Sequence, residues 1–134
     1  MDATRSSDQS RLERVRKSVK NSIDFLEEAI KAQANKDAKG LEKKLFFALS
    51  ELEYAQFMVS LVLKSTGFIS EMHRNRKSTE DLSSNLVRAR DILKEIEPML
   101  DTDLVQNGVK IRDAKRLVIS VMKEINKQTK KIIN

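Results

Sequence analysis

His73 is the one histidine among 134 residues, and there is no cysteine. The side chains that most often move protons, attack carbonyls or hold metals are thus almost missing. A paired-metal site in a helical bundle draws on two Glu-x-x-His pairs, which a single histidine cannot supply. Without cysteine there is no disulfide framework, no thiolate nucleophile and no Cys-type zinc site, and a reducing compartment fits. No glycine-rich phosphate loop, EF-hand loop or Ser/His/Asp set is present. Glu51 and Glu53 stand out because they interrupt an apolar run. Two positions apart on a helix they point in different directions, so they face solvent or neighbouring cations and do not form an acid–base pair. The expectation is a protein with no enzymatic activity, no cofactor, no metal and no small-molecule substrate.

The element that must organise the chain is Leu41 to Ser65. Leu41, Leu45, Ala48, Leu52, Ala55, Val59 and Val62 alternate at spacings of four and three, one stripe of a helix. Phe46, Phe47, Leu49, Phe57, Met58, Leu61 and Leu63 fall outside that stripe. A helix apolar on more than one face needs several neighbours, and in a closed bundle the third and fourth helices are expected to cover the excess. Before it, Leu12, Val15, Val19, Ile23, Leu26, Ala29, Ile30 and Ala34 predict a first helix, capped by Ser7 or Asp8 after a frayed start. The polar stretch Asn35 to Gly40 predicts a turn, so these two helices form an antiparallel hairpin. The second helix ends near Gly67 or runs on to about Arg76.

Ser78-Thr-Glu-Asp81 reads as a helix start, a hydroxyl followed three positions later by a carboxylate. Leu82, Leu86, Ala89, Leu93, Ile96 and Leu100 give the cleanest heptad in the chain, and Pro98 should bend or end that helix. Asp101-Thr-Asp103 caps a fourth helix with Leu104, Ile111, Ala114, Leu117, Val118, Val121, Ile125 and Ile132 inward. Asn107-Gly108 interrupts it at a position where glycine costs on the order of 1 kcal/mol against alanine. The fold class expected is all-α: one domain over 1–134, four long amphipathic helices, either an extended pair of hairpins or a four-helix bundle. Three glycines, one proline and six aromatics in the whole chain agree with long helices.

The net charge of +6 is uneven. Residues 78–101 hold three basic and six acidic groups, net −3, and residues 102–134 hold eight and three, net +5. Adjacent antiparallel helices of opposite charge account for this by complementing each other; an anionic partner would also use it. Five cations crowd the first helix: Arg11, Arg14, Arg16, Lys17 and Lys20. A nucleic-acid reader would add stacking aromatics or a known module, and neither is visible. An anionic membrane surface asks only for cations on a helical face, each worth about 1 kcal/mol. The N-terminus lacks an apolar signal core. Glu51 and Glu53 would each cost a few kcal/mol inside a bilayer, so Leu45 to Leu63 is not expected to span one. The compartment expected is the cytoplasm, with peripheral membrane contact.

Two family resemblances bear on function. Histidine phosphotransfer domains resemble this pattern in being four-helix bundles with one exposed histidine. The lysine-glycine pair they favour after the histidine is replaced here by Arg76 and Lys77, so His73 reads as a surface residue. The second hairpin arm of ESCRT-III proteins, including the archaeal Cdv cell-division paralogues, resembles Ser50-Glu-Leu-Glu53 running into Leu61-Val-Leu-Lys-Ser65. A later helix of that family resembles Asp81-Leu-Ser-Ser-Asn-Leu-Val-Arg-Ala-Arg-Asp-Ile92, with Pro98-Met-Leu100 near a common proline. The similarity covers residues 10 to 105. The segment between the matching stretches is shorter than in the family, and no acidic linker or ATPase-recruiting motif follows the last helix. The resemblance implies a reduced core that self-assembles through its hairpin and lies on anionic membrane by its basic helix.

Two readings of function follow. One is a self-assembling, membrane-associated scaffold, which requires salt-sensitive sedimentation with anionic liposomes. The other is a soluble helical-bundle adaptor that binds itself or another helical protein through an apolar groove at Phe57, Met58 and Leu61.

Overall fold

The computed structural model describes the backbone of residues 3–65 and 81–133 and the side chains of 7–64 and 81–128. Among the described residues there are four helices: α1 (Ala3–Ala34), α2 (Ala38–Ser65), α3 (Leu82–Ile96) and α4 (Leu104–Ile133), with a 3₁₀ turn at Glu97–Met99. No strand occurs among the described residues, and the all-α class expected from periodicity is what is found. The end of the second helix beyond Ser65, His73 and the Ser78 cap lie outside the described residues.

Each boundary has a local cause. α1 already runs from Ala3, so neither Ser7 nor Asp8 caps it; Asp8 instead sits one turn before Arg11, 3.3 Å from its guanidinium. α1 ends in a pair of reversed bonds, Asp37 N–H to Ala32 O at 2.8 Å and Lys36 N–H to Gln33 O at 3.0 Å. That closure places Lys36 at φ 60, the left-handed conformation usually left to glycine. Gly40, expected in the turn, lies instead in the first turn of α2. Asp37 caps that helix by accepting from Gly40 N–H at 3.0 Å, and a Cβ on Gly40 would run into the capping carboxylate.

α3 starts with Asp81 itself as the cap, its side chain accepting from Ser84 N–H at 2.8 Å. Pro98 removes an N–H and tightens the end of α3 into the 3₁₀ turn. Asp103 then caps α4 as expected, accepting from Gln106 N–H at 3.1 Å. The Asn107-Gly108 interruption does not break α4. Asn107 is buried, and its Nδ2 donates to Met99 O at 2.8 Å and Leu100 O at 3.2 Å. It therefore ties the start of α4 to the end of the 3₁₀ turn.

Cross-links between helices give the topology. Glu28 meets Lys44 at 2.8 Å and Asn21 meets Glu51 at 3.4 Å, so α1 and α2 are antiparallel. Gln33 bonds Ser83 at 2.8 Å, Glu27 meets Lys94 at 3.4 Å and Arg16 meets Asp101 at 3.0 Å, so α1 and α3 are antiparallel too. Glu95 and Lys110 at 3.0 Å fix α4 against α3. α1 packs on α2 and α3, and α4 packs on the same two. The result is a four-cornered bundle in which neighbours are antiparallel, while α2 and α3 run parallel across one diagonal. The end of α2 at Ser65 and the start of α3 at Leu82 therefore lie at opposite ends of the bundle, and the short connection expected between these helices falls outside the described residues.

One apolar cluster draws on all four helices. Val15, Val19 and Leu26 meet Leu45, Leu52 and Val59, with Leu86, Leu93, Ile96, Ile111 and Val118 closing the other side. All seven members of the Leu41–Val62 stripe are buried. Truncating one such residue to alanine removes contacts that the rigid surroundings cannot remake, at about 2–5 kcal/mol.

Two measurements test these boundaries. Asn107→Ala removes the donor that the Met99 and Leu100 carbonyls share at the α3–α4 corner, and urea denaturation is expected to show a loss of about 1–3 kcal/mol; a loss under about 0.5 kcal/mol would remove the clasp. The Ser84 backbone N–H, with its side chain second, holds the Asp81 carboxyl below the usual aspartate range. Such a group contributes stability above its unfolded value, and that contribution is lost as pH falls through the lowered folded value. Thermal melts taken downward from about pH 5 are expected to lose part of this acid-limb slope in Asp81→Asn, which keeps an acceptor but no charge.

Candidate functional site

α2 occupies one corner, flanked by α1 and α4. α3 lies diagonally opposite, so the expectation that helices three and four would share the excess apolar surface is corrected: only α4 adds to what α1 covers. Met58 is buried in the core cluster and Leu61 is half-buried against it. Phe57 is 57% exposed. The three residues read from the sequence as one interface are therefore split between core, flank and surface.

What the corner leaves outside is a second row along α2. Lys39, Lys43, Phe46, Ser50, Glu53, Phe57, Ser60 and Lys64 are all exposed. They follow the same four-three alternation as the core stripe, on the opposite side of the helix. Phe46 is 58% exposed, and Tyr54, beside the row, 39%. These two and Phe57 are three of the five large exposed hydrophobics among the described residues, and they lie on one helix. Scattered single exposures need no explanation; a cluster of aromatics on one face does.

The flanks hold the row in place. Phe47 packs its ring 5.3 Å from Phe25 of α1 and 6.3 Å from Phe46. Lys43 and Lys44 lie 5.9 and 5.8 Å from the Phe47 and Phe25 ring centres, within cation–π range. Between α2 and α4, Lys39, Glu42, Lys43, Phe46, Phe47 and Met122 line an open groove of about 360 Å³. The signal for this row was present in the sequence as Phe46 and Phe57 at spacing eleven. It was hidden because the wider apolar surface reads as core until the diagonal neighbour is known.

The five cations of α1 do not form one free patch. Arg11 pairs with Asp8 and Arg16 with Asp101. Arg14, Lys17 and Lys20 are exposed, but so are Glu13, Asp24 and Glu28 on the same helix. On α4, Arg112 is not part of a solvated face. It is 7% exposed, its Nε and Nη1 have no hydrogen-bond partner, and its Nη2 lies 3.5 Å from Asp113. Glu51 is half-buried beside Asn21, whereas Glu53 belongs to the outer row.

Chemistry elsewhere is sparse. A polar cavity of about 460 Å³ at the α3 start is lined by Gln33, Ser83, Asn85, Ser120, Glu124 and the capping Asp81, among others. Asp81 is committed there to Ser84. Among the described residues no three His, Cys, Asp or Glu side chains gather as a metal-ligand set. By length and composition α2 is apolar enough to cross a membrane; in this fold its stripe is packed by α1 and α4.

The arrangement defines an all-α four-helix bundle with one aromatic outer face. Comparison of the chain with family models, curated proteins and solved structures finds no match. The surface assignment separates two neighbours in sequence. Met58→Ala is expected to cost about 2–5 kcal/mol in denaturant unfolding, while Phe57→Ser stays within about 0.5 kcal/mol of the parent. Equal losses would mean that Phe57 is part of the core.

Proposed function

We propose that this chain is a non-enzymatic helical scaffold that works by docking protein on the outer face of α2. The observation that carries the reading is the row from Lys39 to Lys64, with Phe46, Tyr54 and Phe57 together outside a core that is already complete without them. Burying a phenylalanine side chain is worth about 1.5–3 kcal/mol, so two rings displayed on one face are a standing source of binding energy. Helix-in-groove recognition uses apolar anchors at this four-three spacing. A rigid bundle presents them with little ordering cost on its own side.

Assembly on anionic membrane, which the resemblance to ESCRT-III implies, draws less support. Two of the five α1 cations are engaged in ion pairs, and exposed carboxylates at Glu13, Asp24 and Glu28 flank the remaining three. Such a face neutralises much of its own attraction for lipid headgroups within a Debye length. The assembly part of that resemblance remains compatible with docking through α2.

A photo-crosslinking phenylalanine analogue at position 57, compared with one at the exposed Val87 of α3, tests the docking face in cells. Protein adducts are expected at position 57 in clear excess over position 87. Equal yields at both positions, or none at either, would overturn the assignment.

A further inference from the structure

The sequence holds one Asn-Gly pair, Asn107-Gly108, and its chemistry is independent of the docking face of α2. The side-chain amide carbon of an asparagine is an electrophile, and the backbone nitrogen of the next residue can close a five-membered ring on it. A side chain on that next residue obstructs the closure; glycine has none and lets the two groups meet. In a freely turning chain this pair is therefore the readiest place for an asparagine to lose its amide.

The bundle holds the pair unreactive in three ways. Gly108 lies in the first turns of α4, where its N–H belongs to the helix ladder. The Asn107 side chain leans toward the helix N-terminus, away from the Gly108 nitrogen. Its Nδ2 is committed to Met99 O at 2.8 Å and Leu100 O at 3.2 Å, and at 4% exposure little water or hydroxide reaches it. All three protections depend on one short stretch. The first turn of α4 is held by the Asp103 cap on Gln106 and by Asn107 N–H to Asp103 O at 2.9 Å. It runs directly into a glycine, which weakens a helix. Opening this turn takes less free energy than unfolding the core beneath it.

We propose that Asn107 is a self-modifying site, converted to aspartate or isoaspartate only while the α3–α4 corner is open, and that the product keeps the corner from closing again. Hydroxide takes the Gly108 amide proton, the nitrogen attacks Asn107 Cγ, and the Cγ–Nδ2 bond breaks as ammonia leaves with a proton from water. Water then opens the succinimide. Cleavage at Cγ gives aspartate in the ordinary chain; cleavage at the backbone carbonyl gives isoaspartate, whose main chain runs through Cβ and Cγ. Each route consumes one water and releases one ammonia. Both products put an acceptor-only carboxylate where Nδ2 donated, facing the Met99 and Leu100 carbonyl oxygens in a buried corner. A charge and acceptors without a donor are destabilising there, and isoaspartate also adds a carbon to the main chain of the first turn.

Ageing the full chain at mildly alkaline pH, with peptide mass mapping and isoaspartyl methylation as readouts, tests the proposal. Conversion at position 107 is expected to be at least about tenfold slower in buffer than in urea. Gly108→Ala should suppress it in urea, where folding plays no part. Asp103→Ala removes the cap and should speed the reaction severalfold in buffer without changing it in urea. Leu26→Val loosens the core ten residues along α1 from Arg16, which meets Asp101 at the corner, and should leave the buffer rate as in the parent. An unaltered rate in Asp103→Ala, or equal acceleration by Leu26→Val, would place the gate elsewhere than this turn. Equal rates in buffer and urea would mean no gate, and any of these results overturns the proposal. The converted chain and Asn107→Asp should both lose hydrogen-exchange protection from Met99 to Val109. Full protection in the converted chain would show that the corner recloses and would overturn the one-way step.

Discussion

A helix at the corner of a four-helix bundle has two neighbours, and this limit governs α2. Its sequence is apolar around more than half of its circumference, yet only the sides toward α1, α4 and the central cluster can be closed. Ridge-into-groove packing brings each neighbour to about 8–10 Å, which covers the stripe Leu41–Val62 and its shoulders at Met58 and Leu63. Among the described residues, the side facing away from the bundle axis has no partner. The choice of diagonal is therefore the choice of what remains outside. Had α3 been adjacent to α2, the same residues would face a different set of neighbours.

Polar groups at the bundle's ends are handled by short local devices. Asp37, Asp81 and Asp103 each cap a helix, satisfying N–H groups that would otherwise be stranded. Asn107 serves carbonyls instead, donating across a corner to Met99 and Leu100, and joins two helices that differ by nearly a right-about turn. Arg112 is the exception. It is the only charged residue buried among the described residues, and two of its nitrogens have no partner. A buried cation with so little compensation subtracts from stability, and the apolar cluster has to carry that cost. The surface ion pairs contribute little in return, since Arg16–Asp101 and Lys94–Glu27 are both well exposed. They fix the rotational setting of α1 against α3 more than they hold the bundle together.

Much of this was legible in the amino-acid order. The stripe Leu41–Val62 and the heptad from Leu86 to Leu100 are buried as their spacing requires, with Leu82 half-buried at the start of α3, because periodicity reports a face directly. Pro98 and Asp103 mark their helix ends for reasons confined to a few bonds. Gly40 and Asn107 were misjudged for a shared reason: each looked like a break, while each serves a hydrogen bond made by another residue or to another element. Spacing cannot show who lies diagonally opposite whom. That depends on the direction in which α3 runs relative to α2, and the same ignorance made Phe57, Met58 and Leu61 look like one surface.

The parallel diagonal of α2 and α3 also bears on how the chain acquires its shape. α1–α2 and α3–α4 are hairpins of neighbouring segments, whose contacts close over short stretches of chain and form quickly. Contacts of α1 with α3 and of α2 with α4 bridge much longer stretches, so each must wait for a larger loop to close. The molecule is in this sense two fast halves and one slow docking event. During synthesis the first hairpin emerges with Leu45, Leu52 and Val59 uncovered on one side and Phe46 and Phe57 on the other. Until the second half arrives, α2 shows apolar side chains on two sides at once, and the interval is set by translation rather than by any barrier within the hairpin.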